Sequence, residues 1–169
     1  FETVNAVSTG VAELRRLISE AKERHVLHGQ RTVVFIDEIH RFNKGQQDAL
    51  LPAVEDGTII LLGATTENPY YEVNTPLLSR SRVFRLRPLT DDELKQVINR
   101  AINDRQEGLG DLHVILEPAA LEHLVRVAEG DARLALNGLE LAALTTEPAA
   151  DGRRHLTVAI IVDSVQQKV

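Results

Sequence analysis

The 169 residues carry 19 Lys+Arg against 25 Asp+Glu, a formal net charge of -6, and 43% of them are hydrophobic. A chain of this size buries roughly 68–70% of its unfolded surface, so a true core forms, while the overall acidity excludes a simple polybasic nucleic-acid domain. No apolar run approaches the roughly 20 residues that cross a bilayer and no signal peptide opens the chain, which argues against membrane-spanning and secretory classes.

The absence of Cys removes disulfides, thiolate metal sites and cysteine nucleophiles, and fits a cytoplasmic setting. Four Phe, two Tyr and no Trp leave few rings for stacking on bases, so any DNA contact is expected to be local or to arise in an assembly. The chain starts at Phe1 and contains no Met, and is therefore expected to be an excised segment of a longer protein.

Helical spacing comes first: Val11, Leu14, Leu17, Ile18 and Ala21 recur every three or four residues, which predicts an amphipathic helix ending near His25. Val33, Val34, Phe35 and Ile36 then make an unbroken β-forming run that meets Asp37 and Glu38, the pattern of a strand buried on both faces of a parallel sheet. Asn43 and Gln46 form a capping-box signature, and Ala49, Leu50, Ala53 and Val54 carry the helix toward Gly57, with Pro52 expected to kink its last turn. A second buried strand is predicted over Thr58–Leu62, stopped by Gly63. Strand, helix and strand at this spacing make a βαβ unit, hence an α/β fold. Val83, Phe84 and Leu86 are expected to add one short strand before Pro88.

Beyond Pro88 helical faces follow one another, so an α/β domain over 1–87 is expected to be followed by a helical domain over 88–169. Thr90 with Glu93 is a second capping box, ahead of Leu94, Val97, Ile98, Ala101 and Ile102. Pro118 starts a helix through Leu121, Leu124, Val125 and Ala128 that Gly130 breaks, and Asp131 caps the next one. Glu147 to Arg154 reads as a loop, and a last helix capped by Thr157 carries Val158, Ile161, Val162 and Val165.

The chemistry gathers where the strands end. Four apolar residues followed by Asp37 and Glu38 are a Walker B pattern: a buried strand delivers two carboxylates to the rim of a parallel sheet, where nucleotides bind. The first acid suits the oxygen shell of Mg2+, and the second suits orientation and deprotonation of a water. The second strand ends in Ala64-Thr65-Thr66-Glu67-Asn68, which sets a hydroxyl beside the same rim. Ser79-Arg80-Ser81-Arg82, with Arg85 and Arg87 behind it, offers planar guanidinium donors for phosphate oxygens. Gly130-Asp131-Ala132-Arg133 places another Arg in the first turn of a helix.

The stretches "VVFIDEIHRFNKGQQDALLPAVEDGTIILLGATTENP", "NTPLLSRSRVFRLRPLT" and "GDARLALNGLE" resemble, in order and spacing, the AAA+ ATPases of the clamp-loader and branch-migration clade. Within that clade the chain most resembles the replication-associated recombination protein A family, whose eukaryotic relative is the Werner-helicase-interacting protein. The resemblance implies a partial AAA+ parallel-sheet ATPase core followed by a small all-α lid, with ATP and Mg2+ as cofactors. It implies a DNA-dependent ATPase in fork maintenance, recombination and repair, acting on single-stranded or forked DNA as a homo-oligomer, with a single-strand-binding protein among its partners. By the same resemblance Asp37 is the Walker B magnesium carboxylate, Glu38 the catalytic base and Thr66 the sensor 1 residue, with Thr65 as nearest alternative. Arg80 is the arginine finger, Arg82 the second choice, and Arg133 the sensor 2 residue. One departure stands out: no G-x-x-x-x-G-K-[ST] occurs, so the phosphate cradle is missing and these residues alone are expected to be inactive.

A clamp-loader subunit, a Holliday-junction branch-migration motor and a non-catalytic AAA+ adaptor are the competing functions. His25, His28, His40, His113, His123 and His155 show no metal-ligand spacing. Tyr70 and Tyr71 are expected to pack a loop, and Arg15, Arg16 and Arg24 to line a solvated helix face.

Overall fold

Backbone pairing, more than apolar pattern, organises the first part of the chain. The computed structural model describes residues 1–166 and divides into a unit spanning Phe1–Arg85 and a second that begins at Leu86. The last three positions of the expected second domain, 167–169, lie outside the described residues.

In the first unit β1 (Glu2–Asn5), β2 (Thr32–Asp37) and β3 (Ile59–Gly63) form a parallel sheet in that order. The register runs Glu2↔Val34 to Asn5↔Asp37 on one side of β2 and Thr32↔Ile59 to Ile36↔Gly63 on the other. β1 has no apolar alternation to announce it; of its four residues only Val4 is buried, and its ladder with β2 is what makes it a strand.

The helix α1 (Val11–His28) runs three residues past its expected end, because the first residue that takes the left-handed conformation freely is Gly29, at φ 65. Asn43 and Gln46 close the capping box of α2 (Lys44–Glu55) in both directions, and the helix continues through Pro52 to Glu55. Leu14 and Ala21 of α1, Leu50 and Ala53 of α2, and Val34, Ile36 and Ile59 of the sheet share one core.

The expectation that both strands are buried on two faces is corrected by the structure. Burial alternates along β2, and in β3 Ile60 and Leu62 are 42% and 48% exposed. Val33 pairs with Ile60 and Phe35 with Leu62, so these four define the side that the core does not cover. The strand expected at Val83, Phe84 and Leu86 does not form; the segment is irregular and Phe84 and Leu86 are strongly exposed. A β-forming pattern needs a ladder to complete its backbone hydrogen bonds, and no described strand offers this segment one.

After β3 come two short helices, α3 (Pro69–Glu72) and α4 (Thr75–Ser79). The fully buried Gln47 of α2 holds their junction: Nε2 donates to the carbonyls of Phe42 and Glu72, and Oε1 accepts from the Asn74 N–H at 2.7 Å. Tyr70 and Tyr71 do not pack the loop as expected, for both side chains stand in solvent.

The second unit is a bundle of α5 (Asp91–Asn103), α6 (Pro118–Ala128), α7 (Ala132–Thr145) and α8 (Val158–Gln166). Its core includes Leu94, Ile98, Leu124, Leu139 and Ile161. The Thr90–Glu93 box, the Asp131 cap and the Thr157 hydroxyl at the start of α8 are all in place. Two three-residue strands that the helical periodicity conceals, β4 (Val114–Leu116) and β5 (Arg154–Leu156), pair in parallel. Gly130, at φ 86, lets the chain turn between α6 and α7 against Pro88, whose Cβ lies 2.5 Å from where a side chain would begin.

Candidate functional site

The carboxyl ends of β2 and β3 bring together the acids and hydroxyls that the sequence singles out. The Ala64 N–H donates to the Ile36 carbonyl and the Ile39 N–H donates to the Ala64 carbonyl, each at 2.9 Å, so the two strand ends stay laced beyond the sheet. Gly63 permits this closeness, since a Cβ there would lie 3.0 Å from Ile39 Cδ1.

Asp37 ends β2 with an exposed side chain, and its Oδ1 accepts from the Glu38 N–H at 3.1 Å. Glu38 leaves the strand in the left-handed region, φ 54 and ψ 47, and begins a single 3-10 turn over Ile39–Arg41. The Thr66 hydroxyl donates to Glu38 Oε2 at 3.3 Å. Thr66 and Glu38 therefore share the sheet rim with Asp37. Thr65, the alternative to Thr66, faces a different partner: its hydroxyl lies 2.9 Å from His40 Nδ1.

His40 is the residue that sequence reasoning passes over. It stands 3.1 Å from Glu38 Oε2 through Nδ1, and its side chain is only 16% exposed. No metal-ligand spacing marks it, and the signal that was legible is its position two residues beyond the second acid, where a tight turn folds it back.

Arg80 is not at this rim. Its guanidinium pairs with Glu55 Oε1 at 2.6 Å and also donates to the Pro76 carbonyl and the Ser79 hydroxyl. Glu55 ends α2, a 12-residue helix of about 18 Å whose start follows the Glu38 turn. Arg80 thus sits at the other end of α2 from Glu38. Arg87 is engaged as well: it forms a two-point ion pair with Glu93, at 2.7 and 2.8 Å. That guanidinium, with the Thr90 backbone and hydroxyl, lowers the Glu93 carboxyl to about 2, and Glu93 in turn raises Arg87. Arg133 belongs to the second unit, exposed in the first turn of α7, with its backbone N–H on Asp131 Oδ1 at 2.8 Å.

Among the described residues no group of three or more His, Asp or Glu converges as a self-contained metal site. The rim suits a different use, because Mg2+ that arrives on a nucleotide needs only one or two carboxylates and keeps waters for the rest of its shell. The exposed carboxylate of Asp37, beside the Glu38–Thr66 pair, meets that need.

A parallel sheet with two acids at one strand end and a hydroxyl at the next defines the class: an α/β core with a polar rim at the carboxyl ends of its strands, where sheets of this kind bind ligands. Residues 2–89 match the ATPase family associated with various cellular activities (AAA), and residues 110–169 match the AAA C-terminal domain. The chain belongs to the AAA family of ATPases. It is 48% identical over 153 residues to the replication-associated recombination protein A of Haemophilus influenzae, covering 90% of this chain and 34% of that one. The protein of the same name from Escherichia coli K12 is 43% identical, over 96% of this chain and 36% of its own length. The ATPase WRNIP1 of Dictyostelium discoideum is 41% identical, over 99% of this chain and 20% of its own. The chain therefore spans a third or less of the length of some relatives, and little more of others. Among solved structures, the Thermotoga maritima RuvB Holliday junction branch migration motor superposes with a TM-score of 0.70 at 25% identity, covering 98% of this chain and 52% of that one.

Proposed function

We propose that the full-length protein containing this chain is an ATPase that couples hydrolysis to DNA remodelling in replication-associated recombination and repair. The observation that carries the reading is the Glu38 carboxylate beside the Thr66 hydroxyl at the carboxyl end of two parallel strands. The names of the relatives supply the process.

In this reading Asp37 holds Mg2+ delivered with ATP, and the ion supplies neutralising charge to the phosphate oxygens. Thr66 orients the attacking water and Glu38 accepts its proton. Arg80, at the far end of α2 from its own Glu38, serves the nucleotide of an adjacent copy, which requires a homo-oligomer. Arg133 is given its nucleotide contact by family resemblance alone. With no G-x-x-x-x-G-K-[ST] in the sequence, these 169 residues by themselves are expected to turn over no ATP. Single-stranded and forked DNA are the proposed substrates, contacted in the assembled protein.

A Holliday-junction branch-migration motor is the second reading, favoured by the superposition on RuvB; its 25% identity, against 48% for the recombination protein, ranks it behind.

The test is Glu38→Gln in the full-length protein, assayed with and without single-stranded and forked DNA. Nucleotide binding is expected to persist while kcat falls by about 100- to 10,000-fold, the range that general base catalysis contributes. Unchanged hydrolysis would remove Glu38 from its role, and turnover indifferent to DNA would remove the remodelling.

A further inference from the structure

We propose that His40 is a positioning residue for Glu38, seated by Thr65, and that it fixes one carboxylate oxygen so that the other faces the attacking water. The inference rests on the reading of Glu38 as the acceptor of the water's proton.

The two oxygens of Glu38 are treated differently. Oε2 lies 3.1 Å from His40 Nδ1 and accepts from the Thr66 hydroxyl at 3.3 Å. Among the described residues, no hydrogen bond reaches Oε1. One hydroxyl donor and one neighbouring imidazole, from two different strand ends, therefore crowd a single corner of the carboxylate and leave the other open. A carboxylate so close to Nδ1 selects the tautomer with its proton on that nitrogen, since two lone pairs facing each other would repel.

His40 is itself held. Its Nδ1 lies 2.9 Å from the Thr65 hydroxyl, and that hydroxyl oxygen accepts from the Glu67 N–H at 3.0 Å. Nδ1 thus pairs with Thr65 Oγ1 while standing beside Glu38 Oε2. The lacing of Ile39 to Ala64 keeps the 3-10 turn and the Thr65 loop in step, so the ring and the hydroxyl that holds it stay within reach of each other. Adjacent threonines consequently have separate work: Thr66 touches the carboxylate, and Thr65 reaches it only through the imidazole.

Such an arrangement matters because a flexible glutamate side chain samples many rotamers, and a misplacement of about 1 Å can cost roughly 100-fold in rate. A purely structural histidine would act differently, since its loss would lower folding or nucleotide affinity along with turnover.

The experiment uses the full-length protein with Glu38→Gln, His40→Ala, His40→Asn and Thr65→Val, comparing kcat, KM for ATP, nucleotide affinity and melting temperature. His40→Ala is expected to lower kcat roughly tenfold, a part of the about 100- to 10,000-fold assigned to the base, with KM and nucleotide affinity within about twofold. Asparagine can place its amide N–H near the Nδ1 position, so His40→Asn is expected to recover most of kcat. Thr65→Val is expected to fall between parent and His40→Ala. If His40→Ala keeps full kcat while Glu38→Gln abolishes it, the inference fails and the reading of Glu38 stands. If Glu38→Gln itself retains full turnover, the reading fails and takes the inference with it. A loss of affinity parallel to kcat, or no recovery by asparagine, also overturns the inference. Should His40→Ala fail to fold, Thr65→Val decides, and full kcat in that variant overturns it.

Discussion

Leu94, Ile98, Leu139 and Ile161 of the helical unit are wholly buried, whereas Ile60 and Leu62 on the sheet of the first unit keep 42% and 48% of their surface in water. Apolar residues are plentiful in both units, so composition does not explain the contrast. Helices complete their backbone hydrogen bonds internally and need only one covered stripe, while a parallel sheet needs cover on two faces and a partner for every inner edge. The helical unit uses its sequence to close a core, and the sheet unit gathers polar side chains where strands run out, at Asp37, Glu38 and Thr66.

The contrast predicts that loss of Arg80 should show most strongly in turnover. In the full-length protein Arg80→Ala is expected to lower kcat about 1000-fold, the low end for an arginine finger, and subunits carrying it should poison wild-type neighbours in mixed oligomers. Strictly additive activity across mixing ratios would return Arg80 to a local role with Glu55. Next in size is packing. Leu139→Ala, at a wholly buried position, is expected to cost about 2–5 kcal/mol in urea unfolding, while Ile60→Ala, on the half-open face, is expected to cost about 0.5 kcal/mol. Equal costs would mean that the sheet face is covered after all.

The smallest effect concerns acid. Glu93 titrates at about 2 in the folded chain because Arg87 and Thr90 hold its carboxylate, well below the ordinary glutamate range. A lowered folded pKa contributes stability that is present above that ordinary range and lost as pH falls toward 2. The melting temperature of the helical unit is therefore expected to decline over that window, and Glu93→Gln should flatten the decline. A slope unaffected by the substitution would assign the acid sensitivity to other carboxylates.

Much of this was legible in the residues. Asn43 with Gln46 and Thr90 with Glu93 announce helix starts through side chains that reach their own backbone, and both boxes are formed. Val33 to Ile36 announces β2 because a run of β-formers has few other fates. What escaped depends on partners distant in sequence. β1 is a strand through its ladder with β2, β4 and β5 through each other, and Val83–Leu86 has the pattern without a ladder. Two-sided burial was inferred from unbroken apolar runs, which report what a strand tolerates and not what lies over it. At the rim, Asp37, Glu38 and Thr66 follow from a motif, while His40 reaches Glu38 by a turn whose backbone angles no spacing rule encodes.

The left-handed backbone of Glu38 has a consequence for how the chain is built. An ordinary side chain in that region costs roughly 1–2 kcal/mol, and asparagine or glycine enters it far more readily. Folding alone would favour one of those two residues at position 38. An acid placed there works against the preference of its own main chain, as Glu129 does at φ 47 after α6, so at either position a glycine would ease the backbone and give up the carboxylate.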